Sequence, residues 1–245
     1  MDEVISRREF MKSGFSKGPV TPGRRRGLPQ PPLEKPHNPD FALVDLPEPN
    51  SNLVKNEDIF SCIASRTSRR QFTGEGISLS ELSVLLWATQ GVKKVLPRAT
   101  FRSVPSAGAC HPYETYLVVR NVEGLDPGLY RYLAISHKLE VIEAPASLGD
   151  EAVRATGNQT WTKEAAVFFI WAVEAYRSEW RYGKEAAKFM LLDAGHICQN
   201  LYLAVEALGL GTCAIGAYDQ DAMDSFIRVD GENEYAVYCA PVGRI

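Results

Sequence analysis

Leucines at positions 79, 82, 85 and 86 fall on one side of a 3.6-residue turn, so they predict an amphipathic helix. Ser78 and Glu81 stand before this run in the spacing of a capping box, and Gly91 follows it as a stop, which makes the helix a buried one. A broader stripe, Ala187, Met190, Leu191, Ala194, Ile197, Cys198, Leu201, Val205 and Leu208, predicts a long helix over 184–208 ending at Gly209 and serving as core on several sides. Ile59, Phe60, Ile63 and Ala64, at i, i+1, i+4 and i+5, predict a short helix over 57–65. Strand signals differ in kind. Thr115 to Val119 is a short β-branched run, and 128–133 and 138–142 flank a four-residue turn as a hairpin. Ala165 to Val173 is the most apolar stretch and reads as a central strand covered on both faces. Thr212 to Gly216 reads as a short strand, Asp219 as the cap of a brief helix, and Tyr235 to Val242 as a closing strand. Helices and strands mix without strict alternation, which makes the class α+β.

Nine of the 15 prolines fall within the first fifty residues, a density that blocks both helix and central strand. Residues 1–54 are therefore expected to form an extended arm lying across the body or a partner subunit, with 55–245 as one domain. Lys and Arg total 27 against 30 Asp and Glu, so no global positive field exists to hold a nucleic acid. The five cysteines lack C-x-x-C spacing and are odd in number, which points to a reducing compartment and away from metal binding. No window offers about 18 uncharged apolar residues, so no membrane-spanning helix is expected. Ser6 to Lys12 spells a twin-arginine-like export signal, but the apolar run that should follow is replaced by Ser13 to Pro19. The cytoplasm is the expected location, with export as the alternative.

Two stretches carry candidate chemistry. Arg66 and Arg70 bracket Thr67 and Ser68 at the end of the first short helix, and would share a side if the turn continued. Two guanidinium groups and two hydroxyls make a compact pocket for a doubly charged phosphate. The bland alternative is a solvated basic patch. Arg102 to Pro112 is a loop of small residues, which lets backbone N–H groups approach a flat ring closely, although ordinary turns use the same residues. Gly209, Leu210 and Gly211 follow a helix and precede a strand, the reverse of a pyrophosphate turn, so they read as a helix C-cap. His196 reads as a core or interface histidine, and Tyr130, Tyr132 and Trp171 as core aromatics.

Taken together, these motifs resemble the FMN-dependent nitroreductase family over about 58–245. The Arg66, Ser68, Arg70, Phe72 stretch resembles its phosphate-binding signature, and Pro105, Ser106, Ala107, Gly108 and Ala109 match the loop of SagB-type dehydrogenases. Three further runs agree: 128–132; Asp193 to His196 with Gln199 and Asn200; and Leu208 to Ala217. The resemblance implies a sheet flanked by helices, a homodimer, and FMN at its interface. It implies that Arg66, Thr67, Ser68 and Arg70 hold the phosphate, with Arg244 joining them. It places Pro105 to Ala109 against the ring from the other subunit. Backbone at Ala214, Ile215 and Gly216 would line the opposite side, with one N–H donating to flavin N5. Tyr182 is the candidate proton donor, in a pair where Arg181 replaces the family's lysine and cannot act as a base. The implied activity is hydride transfer from NAD(P)H through flavin to a small electron-poor organic acceptor by ping-pong kinetics, selectivity lying in 92–101 and 174–183. Two other readings stand beside it: a SagB-type dehydrogenase acting on a peptide heterocycle, and a flavin-binding module without catalysis.

Overall fold

Each residue from Ala165 to Val173 is buried, because most of this run forms the fifth of seven strands in a sheet covered on both faces. The computed structural model describes residues 8–12, 21–142 and 147–245. Ser6 and Arg7 of the twin-arginine-like stretch, and Ser13 to Pro19 after it, lie outside the described residues. In chain order the elements are β1 (Leu43–Asp45), α1 (Ile59–Ser65), β2 (Ile77–Ser78), α2 (Leu79–Gln90), β3 (Val92–Leu96), β4 (Ala99–Arg102), β5 (Tyr113–Val119) and β6 (Val122–Glu123). There follow β7 (Gly128–Leu133), β8 (Lys138–Ile142), α3 (Leu148–Ala155), β9 (Val167–Glu174), α4 (Ala175–Tyr182), α5 (Ala186–Leu208), β10 (Leu210–Thr212), α6 (Gln220–Ile227) and β11 (Glu234–Arg244).

The main sheet has the order β1-β8-β7-β5-β9-β11-β10, and all its neighbours are antiparallel. Strand alternation divides β9 between two cores. Val167, Phe169, Trp171 and Val173 join Leu82, Leu85 and Leu86 of α2 and Ala194, Ile197 and Leu201 of α5. Phe168, Ile170 and Ala172 join Ala152 and Ala155 of α3 and Met223, Phe226 and Ile227 of α6. The capping box is present: Ser78 Oγ accepts from Glu81 N–H, and the Glu81 carboxylate accepts from Ser78 N–H at 2.8 Å. Gly209 ends α5 with φ of +69°, a left-handed turn that glycine makes at least cost.

Three expectations change. The arm contributes β1, an edge strand in register with Lys138 to Glu140, and proline density did not reveal it because prolines flank the three residues rather than interrupt them. Helix α1 turns its apolar residues outward: Ile59, Phe60 and Ile63 are 49%, 78% and 53% exposed, and only Cys62 is buried. Helix α5 is core along most of its length but leaves Leu191 and Leu192 exposed, and His196 with them.

The arm packs over a buried layer of charge. Arg131 donates to Glu140 at 2.8 Å and to the backbone carbonyls of Lys35 and Pro36 at 2.9 Å each. Glu114 pairs with Arg177, accepts the Lys35 N–H at 2.8 Å, and lies 3.8 Å from Arg131. Arg102 is satisfied by Thr100, Gln90 and the Leu33 carbonyl. Lys35 itself pairs with Glu234, which also accepts from Tyr116 Oη at 2.8 Å.

Candidate functional site

Asp58 caps α1 by accepting from Phe60 N–H, and the helix closes at Ser65, so Arg66 to Arg70 lie outside any helix or strand and do not continue the turn. The segment is anchored from below. Arg69 N–H donates to the Thr212 carbonyl of β10 at 2.9 Å, and its guanidinium meets Glu206 at 3.5 Å. With Arg69 turned inward, its neighbours turn out: Thr67, Ser68 and Arg70 are exposed and line a cleft of about 620 Å³ that also includes Arg69, Phe72 and Ile245. Arg70 has no hydrogen-bond or ion-pair partner among the described residues. The Arg66 guanidinium lies 5.4 Å from the centroid of the Tyr202 ring, a cation–π contact, and its N–H donors have no partner among the described residues.

Tyr202, on α5, was not singled out by sequence reasoning, since an aromatic in an apolar helix looks like core. Its hydroxyl lies 3.0 Å from Ser68 Oγ and accepts the Ala214 N–H at 2.8 Å. One phenol therefore joins the cationic segment to the turn after β10. In that turn Ile215 exchanges backbone hydrogen bonds with Cys239, at 2.7 and 3.3 Å. Ala214 and Ile215 have thus already spent their N–H groups inside the protein. The exposed Gly216 N–H is the donor of the three that has no partner among the described residues.

The small-residue loop is built against the other end of α5. Asp193 accepts from Ser106 Oγ at 2.6 Å and from Ala107 N–H at 3.1 Å, and Ser106 Oγ in turn accepts the His111 N–H at 2.9 Å. Burial raises the Asp193 carboxyl above its ordinary range, while these hydrogen bonds and nearby His196 hold it down. Gly108 has φ of +59°, and the backbone stays left-handed at Ala109 (+52°) and His111 (+43°). A methyl group added at Gly108 would come within 2.3 Å of Arg181 Nε and 2.4 Å of Tyr182 Oη, so glycine is needed for closeness as well as for backbone angle. Tyr182 packs against Phe189 with ring centroids 4.5 Å apart and planes tilted by 47°, and its hydroxyl lies against the loop at Gly108. Pro105 and Ala109 complete the loop without a side-chain hydrogen bond of their own.

Arg244 does not join the cationic cleft as expected. Its two terminal nitrogens donate to the two Glu81 oxygens at 2.9 and 2.8 Å and its Nε donates to the Gly76 carbonyl, so it locks the C-terminal strand to the start of α2. Asn200 likewise ties α5 to the Ala88 carbonyl of α2. Asp193 was legible only as part of a family motif, because its partners lie 86 and 87 residues away. Among the described residues no group of three or more His, Cys, Asp or Glu could hold a metal ion, and no helix is long and apolar enough to cross a membrane. All five cysteines are free thiols.

An antiparallel sheet flanked by helices, with a cationic cleft and a small-residue loop set at two ends of one long helix, defines the class of flavin-binding oxidoreductases with a nitroreductase-like fold. The Nitroreductase family model matches residues 63–244, and the chain belongs to that family. It is 31% identical over 201 residues to the protein named "Putative nitroreductase MJ1384" of Methanocaldococcus jannaschii, covering 82% of this chain and 96% of the relative. It is also 31% identical over 148 residues to the trifolitoxin-processing protein TfxB of Rhizobium leguminosarum bv. trifolii, covering 58% of this chain and 39% of TfxB, in keeping with the SagB-type branch. The crystal structure of a "putative nitroreductase" from Ralstonia eutropha JMP134 superposes with a TM-score of 0.69 at 25% identity, covering 89% of this chain and 98% of the other.

Proposed function

We propose that the protein is an FMN-dependent oxidoreductase that takes hydride from NAD(P)H and reduces a small electron-poor organic acceptor. The observation that carries this reading is the Tyr202 hydroxyl, which links Ser68 of the cationic cleft to Ala214 of the turn that leaves Gly216 N–H free. A phosphate grip and a backbone donor are thereby held at fixed separation, as a rigid cofactor with a dianionic tail requires. The donor set fits the group: Arg70 in the cleft and Arg66 beside it have guanidinium nitrogens without a partner among the described residues, Thr67 and Ser68 offer hydroxyls, and no Asp or Glu lines the cleft.

When bound, FMN would accept the hydride at N5 and pass it on, so the protein needs no acid–base dyad of its own. The chain's part is to hold the phosphate with Arg66, Thr67, Ser68 and Arg70, to present Gly216 N–H at the ring, and to keep water from one face with Pro105 to Ala109. Tyr182 Oη is the hydroxyl that lies beside Gly108 and could hold or give a proton there.

We read the working unit as a homodimer. Asp193, which pins the loop, and Tyr202, which pins the cleft, are nine residues apart on α5, about 900° of rotation and hence on opposite faces. One copy therefore turns its loop away from its own cleft, and a second copy supplies the missing wall. Exposed Ile59, Phe60, Ile63, Leu191 and Leu192 are the apolar surface such a partner would cover. The free thiols support a reducing compartment, the cytoplasm.

The absorbance spectrum of the purified protein, followed by anaerobic titration with NADH and NADPH, tests cofactor and donor together. Bleaching of a yellow protein by either nucleotide is expected. Colourless protein that FMN cannot reconstitute would overturn the reading. The similarity to TfxB favours a second one, dehydrogenation of a peptide substrate, in which a peptide and not a nicotinamide bleaches the same chromophore.

A further inference from the structure

We propose that the cleft bounded by Arg98, Arg177 and Arg181 binds a carboxylate, and that it anchors the acidic end of the substrate beside the Gly108–Cys110 turn. The three arginines line one small cleft with Trp180 and with Gln30 to Leu33 of the arm, and no acidic residue lines it. Arg98 and Arg181 have no hydrogen bond or ion pair among the described residues. Arg177 is 4% exposed; Glu114 and the His111 carbonyl take its two terminal nitrogens, and its buried Nε has no acceptor among the described residues. An anion entering the cleft would meet three cationic residues and no acidic one. At about 20 Å³ the space admits a terminal group and no ring, so a planar carboxylate fits while a larger ring stays outside, against Trp180.

The walls are fixed in place, as a selective site requires. Gln30 Nε2 donates to the Arg98 carbonyl at 2.9 Å, and Trp180 Nε1 donates to the Leu28 carbonyl at 2.9 Å, so the arm is stitched to the β3–β4 turn and to α4. These are the segments in which the sequence places substrate selectivity. The link to the reaction rests on the flavin-loop reading of Pro105 to Ala109, since Gly108 and Ala109 belong both to that loop and to the cleft wall.

Calorimetric titration of the FMN-loaded protein with benzoate and with benzamide, which share a shape and differ in charge, tests the site. Benzoate is expected to bind roughly ten-fold tighter or more, as for a hydrogen bond to a charged group, and to weaken as salt rises. The double variant R98M/R181M should reduce the preference to less than about two-fold while the melting temperature stays unchanged. Arg177 is left intact because its loss would strand Glu114. Should the double variant fail to fold, R98M alone, on an exposed turn, should still weaken benzoate by about three-fold or more. Equal binding of the two ligands, or a preference that survives the substitutions, overturns the proposal. Flavin absorbance recorded on the same samples separates the two readings. Yellow protein without the preference loses the site alone, and colourless protein with the preference keeps the site and loses the cofactor.

Discussion

Arginine appears in this molecule in two opposite settings. Under the arm, Arg131 is 2% exposed and each side-chain nitrogen has an acceptor in Glu140, Lys35 or Pro36. Along the cationic cleft, Arg70 stands exposed and Arg66 rests on an aromatic face, with their donors unspent. The first arrangement is closed: its charges cancel within the chain, and its worth is structural. The second is open, and an unpaired guanidinium pair next to two hydroxyls stabilises nothing until an anion arrives. The teaching is that arginine count says little, whereas the inventory of acceptors around each guanidinium separates scaffold from site.

The comparison breaks most sharply at the closed cluster. Arg131→Met strands Glu140 and removes a neighbour of Glu114, and should cost about 3–5 kcal/mol in urea denaturation, enough to leave little folded protein. At the open cluster the effect should fall on the ligand instead. Arg70→Ala or Arg66→Ala is expected to weaken FMN by roughly 10- to 100-fold in a fluorescence titration. The stability of the unliganded protein should then move by less than about 0.5 kcal/mol.

A third test uses pH. Burial, with Arg102 and Arg177 nearby, pushes the His111 imidazole down to about 3. Unfolded chain takes up that proton near the ordinary value of 6.5 while folded chain refuses it, so stability is present above 6.5 and is lost as pH falls toward 3. Between pH 6.5 and 5 the loss should be about 2 kcal/mol, and His111→Asn, which tolerates the left-handed backbone, should remove that slope from a denaturation series. The smallest effect falls on the phenol that joins the cationic segment to the turn after β10. Tyr202→Phe keeps the ring under Arg66 and deletes one hydroxyl, so FMN affinity should fall about five-fold while the melting curve barely shifts.

Local signals were the legible ones. The Ser78–Glu81 box, the hairpin of β7 and β8 and the glycine stop of α5 each depend on residues a few positions apart, and the chain spells them directly. The buried strand β9 was legible because a sheet covered on both faces demands unbroken apolarity. What stayed hidden depends on partners far along the chain. Nothing near Arg244 announces that Glu81 will claim it, and nothing near Ile215 announces Cys239. The cationic segment could be seen as chemistry, but not that Arg69 would turn inward to Glu206 while Arg70 turned out. Tyr202 was invisible for the same reason: its role comes from two hydrogen bonds made across the fold.

The pairing of Lys35 with Glu234 spans 199 positions. During synthesis the amine emerges from the ribosome long before its carboxylate exists, and this one contact must wait until β11 begins. A nascent chain halted before that strand already holds the arm's backbone on Glu114, Arg131 and Glu140, but leaves the Lys35 amine unpaired and one edge of β9 uncovered. The arm is therefore fastened in stages, its backbone first and the Lys35 amine last.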